Sequence, residues 1–162
     1  RRDATKNLPR TPLTVESVGT GMLERATWDQ RRDLTTMSAH DAAATMWQRT
    51  ELQPSDIDHA QLYDGFSYLT VQWLDALGFF PHGQAGDFIG DGSRFALDGD
   101  LPLNTSGGQL SGGRLHGMGF LHEACVQLWG EGGERQARND PSLAVVAVGG
   151  GPVAGSLLLS CR

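Results

Sequence analysis

The chain has 162 residues, a formal net charge of −6 and 39% hydrophobic residues, and it contains 22 glycines. This length supports one domain with a core of its own. The acidic balance argues against a nucleic-acid or anionic-membrane surface, since those partners select basic faces. Two cysteines are too few for a disulfide scaffold or a zinc site, and no apolar run reaches the ~18 residues of a membrane span. The composition therefore predicts a soluble cytoplasmic α/β protein.

The start of the chain divides into a linker and a domain. Residues 1–12 are polar and basic and carry no periodic pattern, so they are predicted to be a linker before a domain over 13–162. Leu13–Val18 alternates as a strand does. A helix is predicted near Ser38, because a serine there is followed three residues later by an acid.

The next strand leads directly into a helix. His59–Tyr63 is predicted to be a short strand, and Ser67–Leu77 the helix after it. Ligands of α/β proteins collect beyond the carboxyl ends of strands, so Tyr63, Asp64 and Tyr68 are candidate site residues. The alternative is structural: a buried tyrosine with a satisfied hydroxyl, and an aspartate that caps the following helix.

The region Phe79–Asp100 is rich in glycine and aspartate and is predicted to be an exposed excursion or a β-ribbon. Its acids could act as ligands of a divalent metal. Their spacing matches no calcium loop, and solvated aspartates are common in turns, so no metal site is expected. The acids concerned are Asp87, Asp91, Asp98 and Asp100.

The stretch Leu103–Ala124 is the strongest local signal in the chain. The pairs Gly107-Gly108 and Gly112-Gly113 bracket a short polar segment, and Arg114 and His116 follow at the start of a predicted helix. Glycine permits close approach of a ligand to the backbone, and helix-start N–H groups favour an anion or a developing oxyanion. The alternative is a glycine-rich connection without chemistry.

The chain ends in two apolar segments separated by glycines. Leu143–Val148 is uninterrupted and β-branched, as in a strand buried on both faces. Gly149–Pro152 then turns the chain into a last strand, Val153–Ser160. The two strands are predicted to pair as an antiparallel hairpin at the end of a mixed sheet.

Three segments, in order, carry a family resemblance: YDGF at Tyr63–Phe66, NTSGGQLSGGRLHGMG at Asn104–Gly119 and AVGGGPVAG at Ala147–Gly155. Together they resemble the C-terminal half of the thiolase superfamily, in its lipid-transfer-protein or sterol-carrier branch. WDQRRDLTTM at Trp28–Met37 and LQPSDID at Leu52–Asp58 look in particular like steroid side-chain retro-aldolases of actinobacteria. The resemblance implies a C-terminal thiolase-fold domain, a five-stranded mixed sheet layered with helices.

The departures from the thiolase motifs bear on the reaction. Tyr63 stands where thiolases have the asparagine of their first motif, and Arg114 aligns with their catalytic histidine, with His116 two places later. Ala147 stands where they have a cysteine acid/base. An alanine cannot transfer a proton and arginine is a poor base, so Claisen condensation or thiolysis by the usual machinery is not expected.

The resemblance implies instead an acyl-CoA retro-aldolase, which cleaves a β-hydroxyacyl-CoA on a steroid side chain to a ketone and a short acyl-CoA such as propionyl-CoA. Such a cleavage needs a base, donors for the thioester enolate and an acid, but no cysteine nucleophile. Tyr63 is expected to serve as base or acid, with the positive charge of Arg114 beside it. His116 would relay the proton or donate to the thioester oxygen, Asp64 would orient a partner or cap a helix, and Tyr68 is the reserve candidate.

The remaining site residues and partners also follow from the resemblance. Substrate or oxyanion binding is expected at Gly113, Gly117 and Gly150, and Met118 is expected to shape an apolar pocket. No cofactor is expected beyond the coenzyme A thioester substrate. Expected partners are an N-terminal thiolase half, a second subunit in a thiolase-type dimer and a small OB-fold/zinc-ribbon protein. The alternatives are a degradative acetyl-CoA acyltransferase and a non-catalytic subunit that binds acyl-CoA or lipid.

Overall fold

A computed structural model describes residues 8–22 and 27–161. Its four strands are β1 (Thr14–Gly21), β2 (His59–Leu62), β3 (Leu143–Gly149) and β4 (Ala154–Ser160). Its helices are α1 (Ser38–Trp47), α2 (Ser67–Ala76), α3 (Ala85–Ile89), α4 (Gly108–Gly112) and α5 (Met118–Leu128). None of these helices has the length and apolar character needed to cross a membrane.

The strands form one mixed sheet in the order β1-β4-β3-β2. Strands β3 and β4 are antiparallel, as are β1 and β4, while β2 runs parallel to β3. The predicted hairpin is confirmed, with Gly149 paired to Ala154 and the Gly150 N–H donating to the Val153 carbonyl at 2.9 Å. Because β2 and β3 are parallel, their carboxyl ends meet at the same edge of the sheet.

The prediction of a fifth strand was wrong for the described residues, where the sheet has four. The segment Pro102–Asn104 runs along the free edge of β2: the Ala60 N–H donates to the Pro102 carbonyl and the Asn104 N–H donates to the Ala60 carbonyl, both at 3.0 Å. This segment makes only the isolated parallel bridge Ala60↔Leu103. The left-handed Asn104, with φ of 49°, then turns the chain away.

Two apolar layers cover the sheet. On one face, Met46 of α1 and Trp73 of α2 pack with Leu143, Val145 and Leu158 of the central strands. On the other, α5 supplies the following cluster with β3 and β4: Phe120, Ala124, Leu128, Ala144, Val146 and Leu159. Successive β3 residues therefore enter opposite layers, and the prediction that this strand is buried on both faces is confirmed.

The region Phe79–Asp100 does not form a β-ribbon. It contains the short helix α3 and a 3₁₀ turn over Ser93–Phe95. Phe88 of α3 packs its ring against Phe80 at 5.0 Å and Phe95 at 6.1 Å. These aromatic contacts join three neighbouring segments of the region and pack it together despite its many glycines.

Candidate active site

Tyr63 lies where the parallel strands β2 and β3 end. Its backbone N–H donates to the Ala147 carbonyl of β3 at 2.9 Å, and its own carbonyl accepts the Thr70 hydroxyl at 3.2 Å. The half-buried side chain contacts Phe120 of α5, with 6.3 Å between ring centroids. The sheet edge, α2 and α5 therefore position this tyrosine together.

Asp64 is buried and anchors the glycine stretch to the strand end. Its Oδ1 accepts the backbone N–H of Gln109 at 2.9 Å. A Cβ on Gly108 would collide with the same carboxylate, and Gly108 has a left-handed φ of 61°, so only glycine fits there. The residue before α2 is Phe66, which makes no side-chain cap. Asp64 thus holds α4, and the alternative that it caps the helix following its own strand was wrong.

The second half of the glycine stretch bends over the end of β3. Gly117 is buried, with a φ of 91°, and a Cβ there would lie 2.6 Å from Val148. His116, just before it, also has a left-handed φ of 47°. This bend leaves the Arg114 and His116 side chains exposed beside Tyr63.

Tyr63 separates two cavities. The first has a volume of about 260 Å³ and brings together Tyr63, Arg114, His116 and Gly117, with the hairpin residues Val148, Gly149, Val153, Ala154 and Gly155. The cationic side chain and the imidazole thus share a cavity with the tyrosine.

The second cavity is larger, about 520 Å³, and mostly apolar. Its lining residues are Met37, Tyr63, Phe66, Tyr68, Leu69, Gly149, Gly151, Pro152 and Val153. Phe66 is 73% exposed and Tyr68 57% exposed, so the cavity opens widely to the surface. Tyr68 lines this second cavity only, and Arg114 and His116 line the first only, while Tyr63, Gly149 and Val153 line both.

Three of the predicted binding residues are not among the lining residues of the two cavities beside Tyr63. The Gly113 N–H donates to the Gln109 carbonyl at 3.1 Å and the Gly150 N–H to the Val153 carbonyl at 2.9 Å, so both backbone donors have partners within the chain. The third residue, Met118, is 62% exposed. The binding roles of these three residues stay predictions.

Behind the glycine stretch lies a buried polar network that local patterns did not reveal. The Glu123 carboxylate accepts hydrogen bonds from the Thr105 hydroxyl at 2.7 Å, the Gln127 amide at 2.9 Å and Arg135 Nε at 3.1 Å. Burial raises the pKa of Glu123, but these three donors outweigh that effect and hold the pKa below its usual value. The carboxylate therefore stays ionised and ties the glycine stretch to α5.

His59 belongs to the same network. Its Nε2 lies 2.9 Å from the Gln61 amide, which in turn reaches the Thr105 hydroxyl at 3.3 Å. Burial disfavours the charged ring and lowers the pKa of His59 to about 4, although Glu123 acts in the opposite direction. His59 is therefore a neutral structural residue at neutral pH.

One group in the described part of the chain brings potential metal ligands together. His40, Asp75 and His82 each offer one atom within 4.8 Å of the others. These atoms already have protein partners: His82 Nδ1 lies 2.9 Å from Asp75, and His40 Nδ1 accepts the Met37 N–H at 3.2 Å. With Nδ1 as an acceptor, the neutral His40 ring carries its proton on Nε2, which disfavours Nε2 as a metal ligand. The acids of the 79–100 region do not converge in this way.

Comparisons with known proteins agree with the topology. Residues 21–159 match the family model described as thiolase C-terminal domain-like. The 17-hydroxy-3-oxo-4-pregnene-20-carboxyl-CoA lyase of Mycobacterium tuberculosis is 44% identical over 85 residues, which cover 52% of this chain and 22% of the lyase. The steroid side-chain-cleaving aldolase of Thermomonospora curvata is 40% identical over 113 residues, which cover 70% of this chain and 28% of the aldolase.

A solved structure of the Ltp2-ChsH2(DUF35) aldolase superposes with a TM-score of 0.84 at 31% identity, covering 96% of this chain and 41% of that chain. The chain thus spans less than half of the solved chain and about a quarter of the two curated relatives.

Proposed function

Because the chain belongs to the thiolase C-terminal domain-like family, we propose that it is the second half of an acyl-CoA retro-aldolase. The substrate is a β-hydroxyacyl-CoA on a steroid side chain, and the products are a steroid ketone and a short acyl-CoA such as propionyl-CoA. The observation that carries the proposal is Tyr63, which lies between a cavity with Arg114 and His116 and a larger apolar cavity. Two relatives with steroid-cleaving names support the substrate class.

The reaction is balanced without a further reactant. Tyr63 takes the proton of the β-hydroxyl group, the oxygen forms the ketone, and the bond between the α and β carbons breaks. Its electron pair enters the thioester enolate, and Tyr63 returns the proton that it received to the α carbon of that enolate. A tyrosine acts as a base when positive charge stabilises its phenolate, and Arg114 supplies that charge in the shared cavity.

His116 is the proposed donor to the thioester oxygen, where negative charge develops in the enolate. It reaches the cavity because its left-handed backbone turns the chain between Arg114 and the buried Gly117. Each cavity has its own proposed role. The cavity with Arg114 stabilises the charge that develops in the reaction, and the apolar cavity binds the steroid against Phe66 and Tyr68.

The rival activity is thiolysis or acetyl transfer by a degradative thiolase. The residues disfavour it, because Ala147 is a buried methyl where thiolases carry a cysteine and Arg114 replaces their histidine. The complete enzyme, given a steroid β-hydroxyacyl-CoA without free coenzyme A, is expected to form propionyl-CoA and a ring ketone, identified by mass spectrometry. Thiolysis of a 3-ketoacyl-CoA, with no cleavage of the hydroxy compound, would contradict the proposal.

The proposed assembly includes the first thiolase half, a second subunit of a thiolase-type dimer and an OB-fold/zinc-ribbon protein, in the cytoplasm. The chain covers 41% of a solved chain from a complex whose name includes a DUF35 component, which supports a partner of that kind. Co-purification of the complete subunit with and without the candidate partner, followed by the cleavage assay, tests it. Full activity of the subunit alone would contradict the need for the partner.

A further inference from the structure

Gly65 has no side chain, which leaves room for the Tyr63 hydroxyl and the Gln109 amide to lie near each other. A Cβ at this position would lie 2.5 Å from the Tyr63 hydroxyl oxygen and 2.5 Å from Gln109 Nε2. Both atoms therefore border one small space beside the end of β2. Gln109 was not among the residues that the sequence motifs singled out, because the contact joins two loops separated by more than forty residues.

The position of Gln109 is fixed from its backbone. Its N–H donates to Asp64 Oδ1 at 2.9 Å, one residue after Tyr63 in the strand-end loop. Gln109 also lines a third cavity of about 210 Å³, whose walls include Gly113 and Phe120 but not Tyr63. The Tyr63 hydroxyl faces this part of the glycine stretch, because it and Gln109 Nε2 both border the space at Gly65.

The Gln109 amide is poorly satisfied by the protein. Its Oε1 is buried and has no hydrogen-bond partner among the described residues. Buried amide oxygens are normally hydrogen-bonded, so this unpartnered acceptor indicates that a donor group of a ligand completes it. The donor of the same amide, Nε2, is the atom that faces the gap beside the Tyr63 hydroxyl. An amide also offers both a donor and an acceptor to such a ligand.

We infer that Gln109 binds the β-oxygen of the substrate beside Tyr63; the inference rests on the proposed retro-aldol cleavage. Tyr63 removes the hydroxyl proton while the Gln109 N–H donates to the same oxygen. Negative charge grows on this oxygen as its proton leaves, and a fixed N–H donor stabilises that charge. When the carbon–carbon bond breaks, the charge passes to the enolate and the oxygen becomes the ketone carbonyl, still within reach of the amide.

Gln109→Glu keeps the shape of the side chain and removes its N–H donors, but it also adds a negative charge. Gln109→Leu removes the donors without that charge, so the two variants are tested together. The complete enzyme with its partner is assayed for kcat and KM on a steroid β-hydroxyacyl-CoA, next to Gln109→Leu and to Gln84→Leu, an exposed glutamine outside the site. Loss of a donor used mainly in the transition state is expected to lower kcat on the order of 100-fold, with KM changed by less than about threefold. Gln84→Leu is expected to behave as the wild type.

The outcomes separate this inference from the proposed function. A wild-type enzyme that cleaves the substrate, with a Gln109→Glu variant of wild-type kcat, overturns the role of Gln109 and leaves the function standing. A wild-type enzyme that does not cleave the substrate overturns both. Thermal melting shows whether the leucine variant remains folded; if it does not, the nearly isosteric glutamate variant decides.

Discussion

Replacing Gly65 by alanine is expected to disturb the position of the reacting groups much more than the stability of the fold. Gly65 has no left-handed φ, so the backbone accepts alanine, and only the new methyl group matters. That methyl would lie 2.5 Å from both the Tyr63 hydroxyl and the Gln109 amide nitrogen. Favourable contact needs about 3.5 Å, so the two groups must move by roughly 1 Å.

The expected magnitudes differ for stability and for rate. Overpacking typically lowers the free energy of unfolding by about 1–3 kcal/mol. Alanine also restricts the unfolded chain, which raises this free energy by about 0.4–1 kcal/mol. The Tyr63 ring carbon Cε1 would also lie 2.6 Å from the methyl, so the half-buried ring must move with its hydroxyl. The net loss of unfolding free energy should therefore be about 1–2 kcal/mol. A misplacement of about 1 Å at reacting groups, by contrast, costs on the order of 100-fold in rate.

The assay compares Gly65→Ala with Gly86→Ala in the complete enzyme. Gly86 lies in α3, where a Cβ would meet no atom within 4 Å. Steady-state cleavage is measured together with denaturant unfolding of both variants. The expected result is a large loss of kcat confined to Gly65→Ala. Equal rates for the two variants, with Gly65→Ala properly folded, would refute the view that Tyr63 and Gln109 meet at this gap.

Three further predictions use the same residues. Tyr63→Phe should lower kcat about 100-fold or more because it removes the proposed base, whereas Tyr68→Phe should remain within about threefold, because that side chain lies on the apolar side; the reverse order would reject the assignment of the base. Asp64→Ala should remove the acceptor of the Gln109 N–H and lower stability by about 1–3 kcal/mol, measured by urea unfolding; an unchanged midpoint would contradict the anchoring role. His59 is held neutral by burial, with its pKa lowered to about 4. Its stabilising effect is complete above pH 6.5 and decreases toward pH 4, where the unfolded state binds the proton and about 3 kcal/mol is lost. His59→Gln should therefore flatten the pH dependence of the unfolding free energy over that window. Parallel curves for the variant and the wild type would contradict this contribution of His59.

Local patterns predicted the parts of the fold that depend on neighbouring residues. The apolar run of β3, the glycine turn and the helical spacing after Gly117 each correspond to an observed element. The fifth strand was wrong because the segment beside β2 turns away at Asn104 after one bridge. For residues 79–100 the β-ribbon was wrong, because phenylalanine contacts that glycine content does not reveal hold short helical turns there. The alternative of an exposed excursion agrees with the largely exposed side chains.

The sequence motifs likewise predicted some residues of the candidate site and missed others. The motifs pointed to Tyr63, Arg114 and His116, and these residues border one cavity, although their roles stay predictions. Gln109 was missed because its contact with Asp64 joins segments 45 residues apart. Glu123 was missed because Thr105 and Arg135, which bind its carboxylate, lie outside α5. The N–H groups of Gly113 and Gly150 donate to carbonyls within their own motifs, which the residue pattern alone did not show.

The most direct test of the proposed reaction is cleavage in D₂O without free coenzyme A. The complete enzyme is given the steroid β-hydroxyacyl-CoA, and the released acyl-CoA is analysed by mass spectrometry. Retro-aldol cleavage predicts one solvent deuterium at the α carbon, because the enolate formed there takes its proton from a group in exchange with solvent. Cleavage that requires added coenzyme A, or an acyl-CoA product without deuterium, would contradict the proposed mechanism.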